Sequence, residues 1–229
     1  MPKQIFNLKT SKEIVPQIFA TTFLAPKTNT IAGQFVTFEV APKEYRSYSI
    51  VSNADENDQS LIEFMVNTRP NGVGSKWFAN PSATIFTIGP SGSFRLQNTD
   101  LPKVFVATST GLAPFVYMLS ELFAKDPNAV ATVYFGCVTN AYNITDLYLE
   151  QFEKYPNFSY KICTDEECHL NPEHEKFYCG RVTGAIQEQI QDFANTEFYV
   201  CGNPFMVDAV VQMLEEKAVT DIYTEKFSK

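Results

Sequence analysis

The sequence predicts a β + α/β protein: a six-stranded antiparallel β-barrel followed by a doubly wound parallel α/β domain. Three observations predict it. Short β-rich runs alternate with turn residues from Glu13 to about Leu96, which is typical of an antiparallel barrel or sandwich. Beyond Leu101, apolar runs alternate with helical patterns, as in a parallel sheet covered on both faces. With 229 residues, 45% of them hydrophobic, the chain can bury more than one core.

Alternating apolar and polar residues predict the strands of the first domain. In residues 34–40 every second side chain is apolar, so one face of that strand is buried and the other faces solvent. On this basis strands are predicted over residues 17–23, 34–40, 46–51, 61–67 and 84–88.

Apolar runs predict the strands of the second domain, and the amphipathic segments between them predict its helices. The strands are predicted over residues 104–107, 131–135, 158–162, 198–201 and 221–225. The helices are predicted over residues 113–123, 144–154, 183–193 and 204–217. A polar stretch at residues 97–100 separates the two patterns, so the predicted domains are residues 1–99 and 100–229.

Composition and charge exclude several classes of function. A net charge of −8 disfavours nucleic acid as a partner, because binding to a phosphate backbone needs many Lys and Arg side chains. No run of 18 or more apolar residues predicts a membrane span. The first residues lack the charged and then apolar layout of a signal peptide, so we expect a cytoplasmic protein.

Two turns of the second domain lead from a strand through glycine and proline into a helix, at residues 108–115 and 201–206. Such a turn points unpaired backbone N–H groups at an anion, as a diphosphate site requires. A glycine needed only for a tight turn is the alternative. Because ligands of open parallel sheets bind at the carboxyl ends of the strands, we expect Thr110 and Cys201 to border one crevice.

The first domain carries a polar strand at residues 46–52. Alternation places its side chains on two faces, Arg46, Tyr48, Ile50 and Ser52 on one and Ser47, Ser49 and Val51 on the other. Arg46 could pair with a phosphate, Tyr48 could lie against a sugar or ring, and Ser49 could hydrogen-bond a planar cofactor. An exposed polar strand without a ligand is the alternative.

A glycine-rich turn follows at residues 69–78. Ser75 is predicted to cap a short helix there, so that free N–H groups of the helix form a second phosphate cradle.

Taken in order, these segments resemble the ferredoxin-NADP reductase family of flavoproteins, from about Gln17 to Phe227. The resemblance rests on five motifs in register, at residues 46–52, 71–75, 89–94, 110–115 and 201–206. It implies a barrel that binds FAD and an α/β domain that binds a nicotinamide nucleotide. Without a fused iron-sulfur domain, electrons would pass to a separate protein or small acceptor, such as a ferredoxin, rubredoxin, haem protein or oxygenase component.

The resemblance also implies roles for individual residues. Arg46 would hold the FAD diphosphate, Ser49 would hydrogen-bond near flavin N5, and Cys201 would sit beside the nicotinamide ring; Ser49 and Cys201 are the implied catalytic residues. The full implied cofactor-binding set is Arg46, Ser47, Tyr48, Ser49, Ser52, Phe64, Val66, Gly72, Val73, Gly74, Ser75, Thr110, Gly111, Asp165, Cys201, Gly202, Pro204, Phe205 and Phe227.

The chain departs from the family pattern at three places. Asn71 and Ser109 stand where glycine is common. The predicted third strand of the sheet is followed by acids from Asp165 to Glu167, where relatives that use the phosphorylated nucleotide tend to carry a Ser-Arg pair. Asp165 could accept a hydrogen bond from a free ribose hydroxyl, so we expect NADH rather than NADPH. A solvated acidic loop is the alternative.

Cysteine and histidine residues cluster at Cys163, Cys168, His169, His174 and Cys179. Such ligands suit zinc or iron, but the spacing matches no Cys-x-x-Cys pair, so the sequence favours a loop with reduced thiols and no metal. The alternative to a reductase is a nucleotide-binding subunit or sensor that keeps the fold and, through Ser109, has lost productive nicotinamide binding.

Overall fold

The structure, a computed structural model, describes residues 3–68, 72–164 and 175–227. The chain divides into two compact units. The first combines Met1–Leu96 with Ala113–Met118, and the second combines Gln97–Leu112 with Leu119–Lys229. The division into residues 1–99 and 100–229 therefore remains a prediction, since the start of one helix is grouped with the first unit.

The first unit is a closed barrel of six antiparallel strands, as predicted. Neighbouring strands follow the order β1-β2-β5-β4-β3-β6. Their bounds are β1 Gln4–Val15, β2 Ile18–Pro26, β3 Phe35–Ala41, β4 Glu44–Glu56, β5 Gln59–Asn67 and β6 Thr84–Ser91, with helix α1 at Val73–Ala79. The sequence did not indicate β1, because only Phe6 of its twelve residues is buried and the alternation that marks a barrel wall is lost.

Aromatic side chains fill the barrel. Phe38 packs edge-on against Phe64, with ring centroids 4.9 Å apart, and both rings are excluded from solvent. Phe78 of α1 joins the same cluster at 5.8 Å from Phe38, so the short helix is held by its buried ring. Full burial of one such side chain contributes about 1.5–3 kcal/mol, which lets a helix of two turns keep its place on the barrel.

The second unit is a six-stranded parallel sheet in the order β10-β9-β8-β7-β11-β12. Its strands are β7 Lys103–Thr108, β8 Ala131–Gly136, β9 Phe158–Thr164, β10 Phe177–Cys179, β11 Glu197–Gly202 and β12 Ile222–Lys226. The helices are α2 Ala113–Lys125, α3 Thr145–Tyr148, α4 Val182–Gln189 and α5 Pro204–Glu216. The parallel α/β class is confirmed, and the three-residue strand β10 was not predicted.

The prediction of one helix over residues 144–154 is wrong. Only Thr145–Tyr148 is α-helical, and Glu150–Phe152 forms a 3-10 turn. The backbone N–H groups of Phe152 and Glu153 donate to carbonyls three residues back rather than four. The apolar spacing fits a helix, but the chain tightens into 3-10 geometry ahead of Pro156, before which helices rarely continue.

A buried ion pair joins the first residues of two neighbouring strands. Lys103 of β7 and Glu197 of β11 are opposite in the parallel register, and their charged groups lie 3.3 Å apart at 3% and 1% exposure. The Lys103 ammonium also donates to the carbonyls of Thr99 and Leu101. The Glu197 carboxylate accepts from the hydroxyls of Thr99 and Tyr199. Because each charge has several hydrogen-bond partners, the pair offsets much of its desolvation cost and holds the segment before β7.

Helix α5 ends in a Schellman motif. The N–H of Val219 donates to the carbonyl of Leu214, and the N–H of Ala218 donates to that of Glu215. Ala218 adopts a φ of +57°, the left-handed conformation in which glycine is usual at this position. A side chain there costs about 1 kcal/mol, which the motif's hydrogen bonds offset.

We expect Ala218→Gly to raise the free energy of unfolding by about 1 kcal/mol, because glycine adopts a positive φ without the steric cost. The control is Ala209→Gly in the exposed middle of the same helix, which should lower the free energy of unfolding by about 1 kcal/mol. Urea denaturation followed by circular dichroism measures both. A loss of stability in both variants would contradict the strain assigned to Ala218.

Candidate functional site

Strand β4 carries the polar run of the first unit, and both of its faces are covered in the middle. Tyr48 and Ile50 belong to the barrel cluster, while Ser49 at 5% exposure and Val51 at 1% are buried on the other face. Ser47 and Arg46, nearer the start of the strand, are exposed. A register shift against β5 between Ile50 and Ser52 accompanies this change. The prediction of an exposed polar strand therefore applies only to the first residues of β4.

Arg46, Tyr48 and Gly74 come together at the start of α1. A Cβ placed on Gly74 would lie 2.3 Å from the Tyr48 hydroxyl oxygen and 3.4 Å from Cγ of Arg46. Only glycine lets the phenol approach the helix backbone this closely. The Arg46 guanidinium, nearly half exposed, uses Nη1 to bind the carbonyl of Tyr45 at 2.7 Å and the Glu44 carboxylate at 3.4 Å. A cation and a phenol thus lie beside a glycine-containing helix turn.

The Tyr48 ring is anchored by aromatic packing. Its centroid lies 4.9 Å from that of Phe78 and 5.6 Å from that of Phe38, edge-on in both cases. Burial raises the pKa of Tyr48 to about 12, and the positive charge of Arg46 opposes part of that rise. The phenol is therefore neutral at physiological pH and can donate a hydrogen bond.

The remaining predicted residues of β4 and β5 have protein partners. Ser47 and Thr37 share a hydroxyl hydrogen bond of 2.8 Å, and Ser52 donates to Glu63 at 3.3 Å. The side chains of Phe64 and Val66 are fully buried in the barrel cluster. Their side chains belong to the barrel core, and contact of either residue with a cofactor stays a prediction.

The helix start at residues 72–75 differs from the prediction. Gly72 is the N-cap residue, and α1 begins at Val73, so Ser75 lies inside the first turn and cannot be the cap. No side chain caps this end. Val73 packs against the barrel cluster, and Gly74 is buried. Helix α1 thus starts three residues earlier than it would with Ser75 as its cap. Asn71 lies outside the described residues.

The two glycine turns of the second unit interlock at the carboxyl edge of β7 and β11. A Cβ on Gly111 would lie 2.3 Å from the carbonyl oxygen of Cys201 and 2.7 Å from Cα of Gly202. Thr110 and Gly111 occupy a buried 3-10 turn at Ser109–Leu112. The turns that the sequence expected to border one crevice are thus in direct backbone contact. Ser109 has a φ of +53°, the left-handed region that favours glycine.

Cys201 is completely buried on β11. Burial raises the pKa of its thiol well above the usual value, and the nearby charge of Glu225 raises it further. The thiol lies 4.0 Å from the Glu225 carboxylate, which is opposite it in the register of β11 and β12. The sulfur is therefore a protonated thiol that can donate weakly to a carboxylate, and not a thiolate nucleophile.

The turn after β11 sets the start of α5. Gly202 has a φ of +134°, and the side chain of Asn203 accepts a hydrogen bond from the N–H of Phe205. Pro204 occupies the first turn, and the Phe205 ring is 68% exposed. Phe227, just beyond β12, donates its N–H to the carbonyl of Gly202 at 3.0 Å. Its ring is half-buried within this unit.

Several predicted residues lie outside the described part of the chain. They are Asp165, Cys168, His169 and His174. Of the same segment, Cys163 is buried and Cys179 is exposed. Among the described residues no group of three or more metal-ligating side chains is present, and no helix is long and apolar enough to cross a membrane.

Three neighbours of the turns were missed at the sequence level. The Asn-Pro pair at residues 203 and 204 is a typical helix start and could have identified Asn203 as a cap. Thr108 accepts a hydrogen bond from the N–H of Asn203, and Glu225 faces Cys201. The last two depend on strand register, which no local pattern reveals.

Comparison with known proteins agrees with this architecture. Residues 105–212 match the family model of the oxidoreductase NAD-binding domain. The electron transfer component of anthranilate 1,2-dioxygenase from Acinetobacter baylyi is 29% identical over 205 residues, which cover 86% of this chain and 58% of that protein. The reductase component of propane 2-monooxygenase from Gordonia is 30% identical over 209 residues, covering 86% and 59%. The chain thus spans less than two thirds of the length of these curated relatives.

Solved structures share the whole fold. The FAD/NAD-binding domain of nitric oxide dioxygenase from Vibrio cholerae superimposes with a TM-score of 0.83 at 18% identity, covering 99% of both chains. A ferredoxin-NADP+ reductase from Neisseria gonorrhoeae does so with a TM-score of 0.81 at 19% identity, again covering 99% of both. With a closed barrel followed by a parallel α/β unit, this chain shares the fold of these two solved structures.

Proposed function

We propose that this chain is an NAD(P)H-dependent flavin reductase. It would bind FAD on the barrel unit, take hydride from a nicotinamide nucleotide bound by the α/β unit, and pass electrons to a separate oxygenase component. The observation that carries the proposal is the interlocked pair of glycine turns at Gly111 and Gly202, in a chain whose relatives are named as reductase or electron transfer components of oxygenases.

The residues at the start of α1 fit the diphosphate of FAD. Arg46 offers a guanidinium that binds phosphate oxygens through two parallel hydrogen bonds, and neutral Tyr48 offers a phenol donor beside it. Gly74 allows both side chains to lie close to the helix backbone. When bound, the flavin supplies the redox chemistry that lets a two-electron donor serve one-electron acceptors. The task of the protein residues is to bind and orient it.

The interlocked turns fit a nicotinamide nucleotide. Because Gly111 and Gly202 carry no side chain, the turns at the carboxyl ends of β7 and β11 pack backbone against backbone. This carboxyl edge is where open parallel sheets bind dinucleotides. We further propose a preference for NADH, because the acids from Asp165 to Glu167 would repel a 2′-phosphate and Asp165 can accept from a free ribose hydroxyl.

We propose different roles for Ser49 and Cys201, the two residues implied to be catalytic. Ser49 is buried on β4, where a short hydroxyl is suited to hydrogen-bonding a cofactor edge. Cys201 packs its backbone carbonyl against Gly111, and its protonated thiol donates to Glu225. Its burial and raised pKa favour a role other than nucleophilic attack, since only the thiolate is an effective nucleophile.

The purified chain loaded with FAD should lose its flavin absorbance on anaerobic addition of NADH, with a second-order rate constant at least about tenfold above that for NADPH. A charge-assisted hydrogen bond of about 1.5–3 kcal/mol from the ribose to Asp165 accounts for this factor. Asp165→Ser should narrow the difference, and Glu150→Ser, an exposed acid elsewhere in the unit, should leave it unchanged. Flavin that neither nucleotide bleaches would favour a non-catalytic nucleotide-binding subunit instead.

Arg46→Ala should weaken FAD binding by about tenfold or more, because one charged, bidentate donor to the diphosphate is lost. Titration of free FAD with apoprotein, followed by quenching of flavin fluorescence, measures the dissociation constant. Lys12→Ala removes the same charge from an exposed position on β1 and should have no effect. Equal flavin affinity in the wild type and Arg46→Ala would refute the assigned role.

Alkylation should distinguish the cysteines. In the native protein iodoacetamide is expected to modify exposed Cys179 at least about 100-fold faster than Cys201, because the Cys201 thiol is buried, is held protonated by its raised pKa and requires local opening. Mass spectrometry of peptides measures both rates, and guanidinium chloride should make them similar. Rapid native modification of Cys201 would show an accessible thiolate and overturn the structural role given to it.

A further inference from the structure

Thr108 ends the central strand β7 between two glycines of the neighbouring strands. On β8, Gly136 is its partner in the register, and a Cβ there would lie 3.0 Å from Cγ2 of Thr108. On β11, a Cβ on Gly202 would lie 2.6 Å from Oγ1 of Thr108 and 2.9 Å from its carbonyl oxygen. The Thr108 side chain thus occupies space that both glycines leave, with its methyl towards β8 and its hydroxyl towards β11.

The hydroxyl has a specific partner. Oγ1 of Thr108 accepts a hydrogen bond of 3.1 Å from the N–H of Asn203. Asn203 in turn caps α5, because its side-chain oxygen accepts from the N–H of Phe205 at 2.9 Å. Since a β-branched side chain is stiff at χ1 and is wedged between two strands, the acceptor position is well defined. Two successive hydrogen bonds therefore connect the end of β7 to the first turn of α5.

This connection involves both glycine turns. Thr108 directly precedes the 3-10 turn at Ser109–Leu112, in which Gly111 packs on the carbonyl of Cys201. The hydroxyl of Thr108 holds the other turn, at Gly202 and Asn203, from the same strand end. One side chain thus helps to set the separation between the two turns, together with the packing of Gly111 on Cys201.

We propose that Thr108 is a positioning residue for the nicotinamide nucleotide, a role that rests on the proposed function. It does not touch the ligand. Its hydroxyl holds the N–H of Asn203 and so places the start of α5 at the distance from the Ser109–Leu112 turn that the nucleotide requires. The hydroxyl, rather than the bulk of the side chain, carries the role, since valine would fill the same space without accepting a hydrogen bond.

The test compares Thr108→Val, which keeps the shape and loses the acceptor, with Thr108→Ser, which keeps the hydroxyl. Thr132→Val on β8 is the matched control, since its hydroxyl bonds Ser159 away from the turns. In FAD-loaded protein without nucleotide, hydrogen exchange of the Asn203 amide should be about fivefold faster in Thr108→Val, which corresponds to about 1 kcal/mol for one hydrogen bond. Thr108→Ser and Thr132→Val should exchange as the wild type does.

The second readout is the dissociation constant of NAD+ for the oxidised FAD-loaded protein, measured by calorimetry. It should rise about fivefold in Thr108→Val, with FAD affinity unchanged, and remain within about twofold in Thr108→Ser. If Thr108→Val has the hydrogen-exchange rate and the NAD+ dissociation constant of the wild type, the inference about Thr108 is wrong, while the proposed function stands. A wild type that binds no nicotinamide nucleotide overturns the proposed function together with the nucleotide part of the inference, while the exchange rates still decide whether the Thr108 hydroxyl holds the turn.

Discussion

Close backbone packing between the turn after β7 and the end of β11 is the constraint on which the proposed nucleotide site depends. A single methyl-sized group on Gly111 would collide with the Cys201 carbonyl, and one on Gly202 would collide with Thr108. The two turns therefore stay in contact only while both positions lack a side chain. The packing brings the two turns together at the carboxyl edge of the sheet, where open parallel sheets bind their ligands. Cys201, Thr108 and Asn203 are arranged around that contact.

In the barrel, strand β4 presents a charged and a polar side chain although its middle is buried. The start of β4 is exposed and carries Arg46, while its middle is covered on both faces. Tyr48 lies at the transition, with its ring in the aromatic cluster and its hydroxyl over Gly74. Aromatic packing thus fixes the position of a polar atom, because the ring cannot move without disturbing Phe38 and Phe78. Rigid placement of this kind reduces the entropy lost when a cofactor binds.

At the opposite end of the sheet from the glycine turns, the Lys103–Glu197 pair ties the first residues of β7 and β11 to each other and to the segment that enters β7. Strands β7 and β11 are therefore held at both ends. A buried ion pair joins their first residues, and backbone packing joins the turns at their carboxyl ends. A strand pair held in this way keeps its register, and the register is what places Thr108 beside Gly202 and Cys201 opposite Glu225.

The two fold classes, their order along the chain and most strands followed from periodicity, since alternation and long apolar runs directly reflect one-sided and two-sided burial. Local patterns also located the glycine turns and the residues Arg46, Tyr48 and Gly74. Strand β1 was not predicted, because few of its side chains are buried. The helix expected over residues 144–154 is shorter, because part of it adopts 3-10 geometry that its apolar spacing does not reveal.

What only the tertiary structure decided is which side chains meet across strands. Register and packing between segments distant in the chain decide three features. Cys201 is buried against Glu225, Thr108 accepts a hydrogen bond from the N–H of Asn203, and α1 starts at Val73 rather than after a serine cap. The sequence by itself determined where glycine, cation and aromatic groups occur, because those are local choices of residue type. Their distances were decided by the fold, because a hydrogen bond or a steric contact exists only once two remote backbones have been brought together.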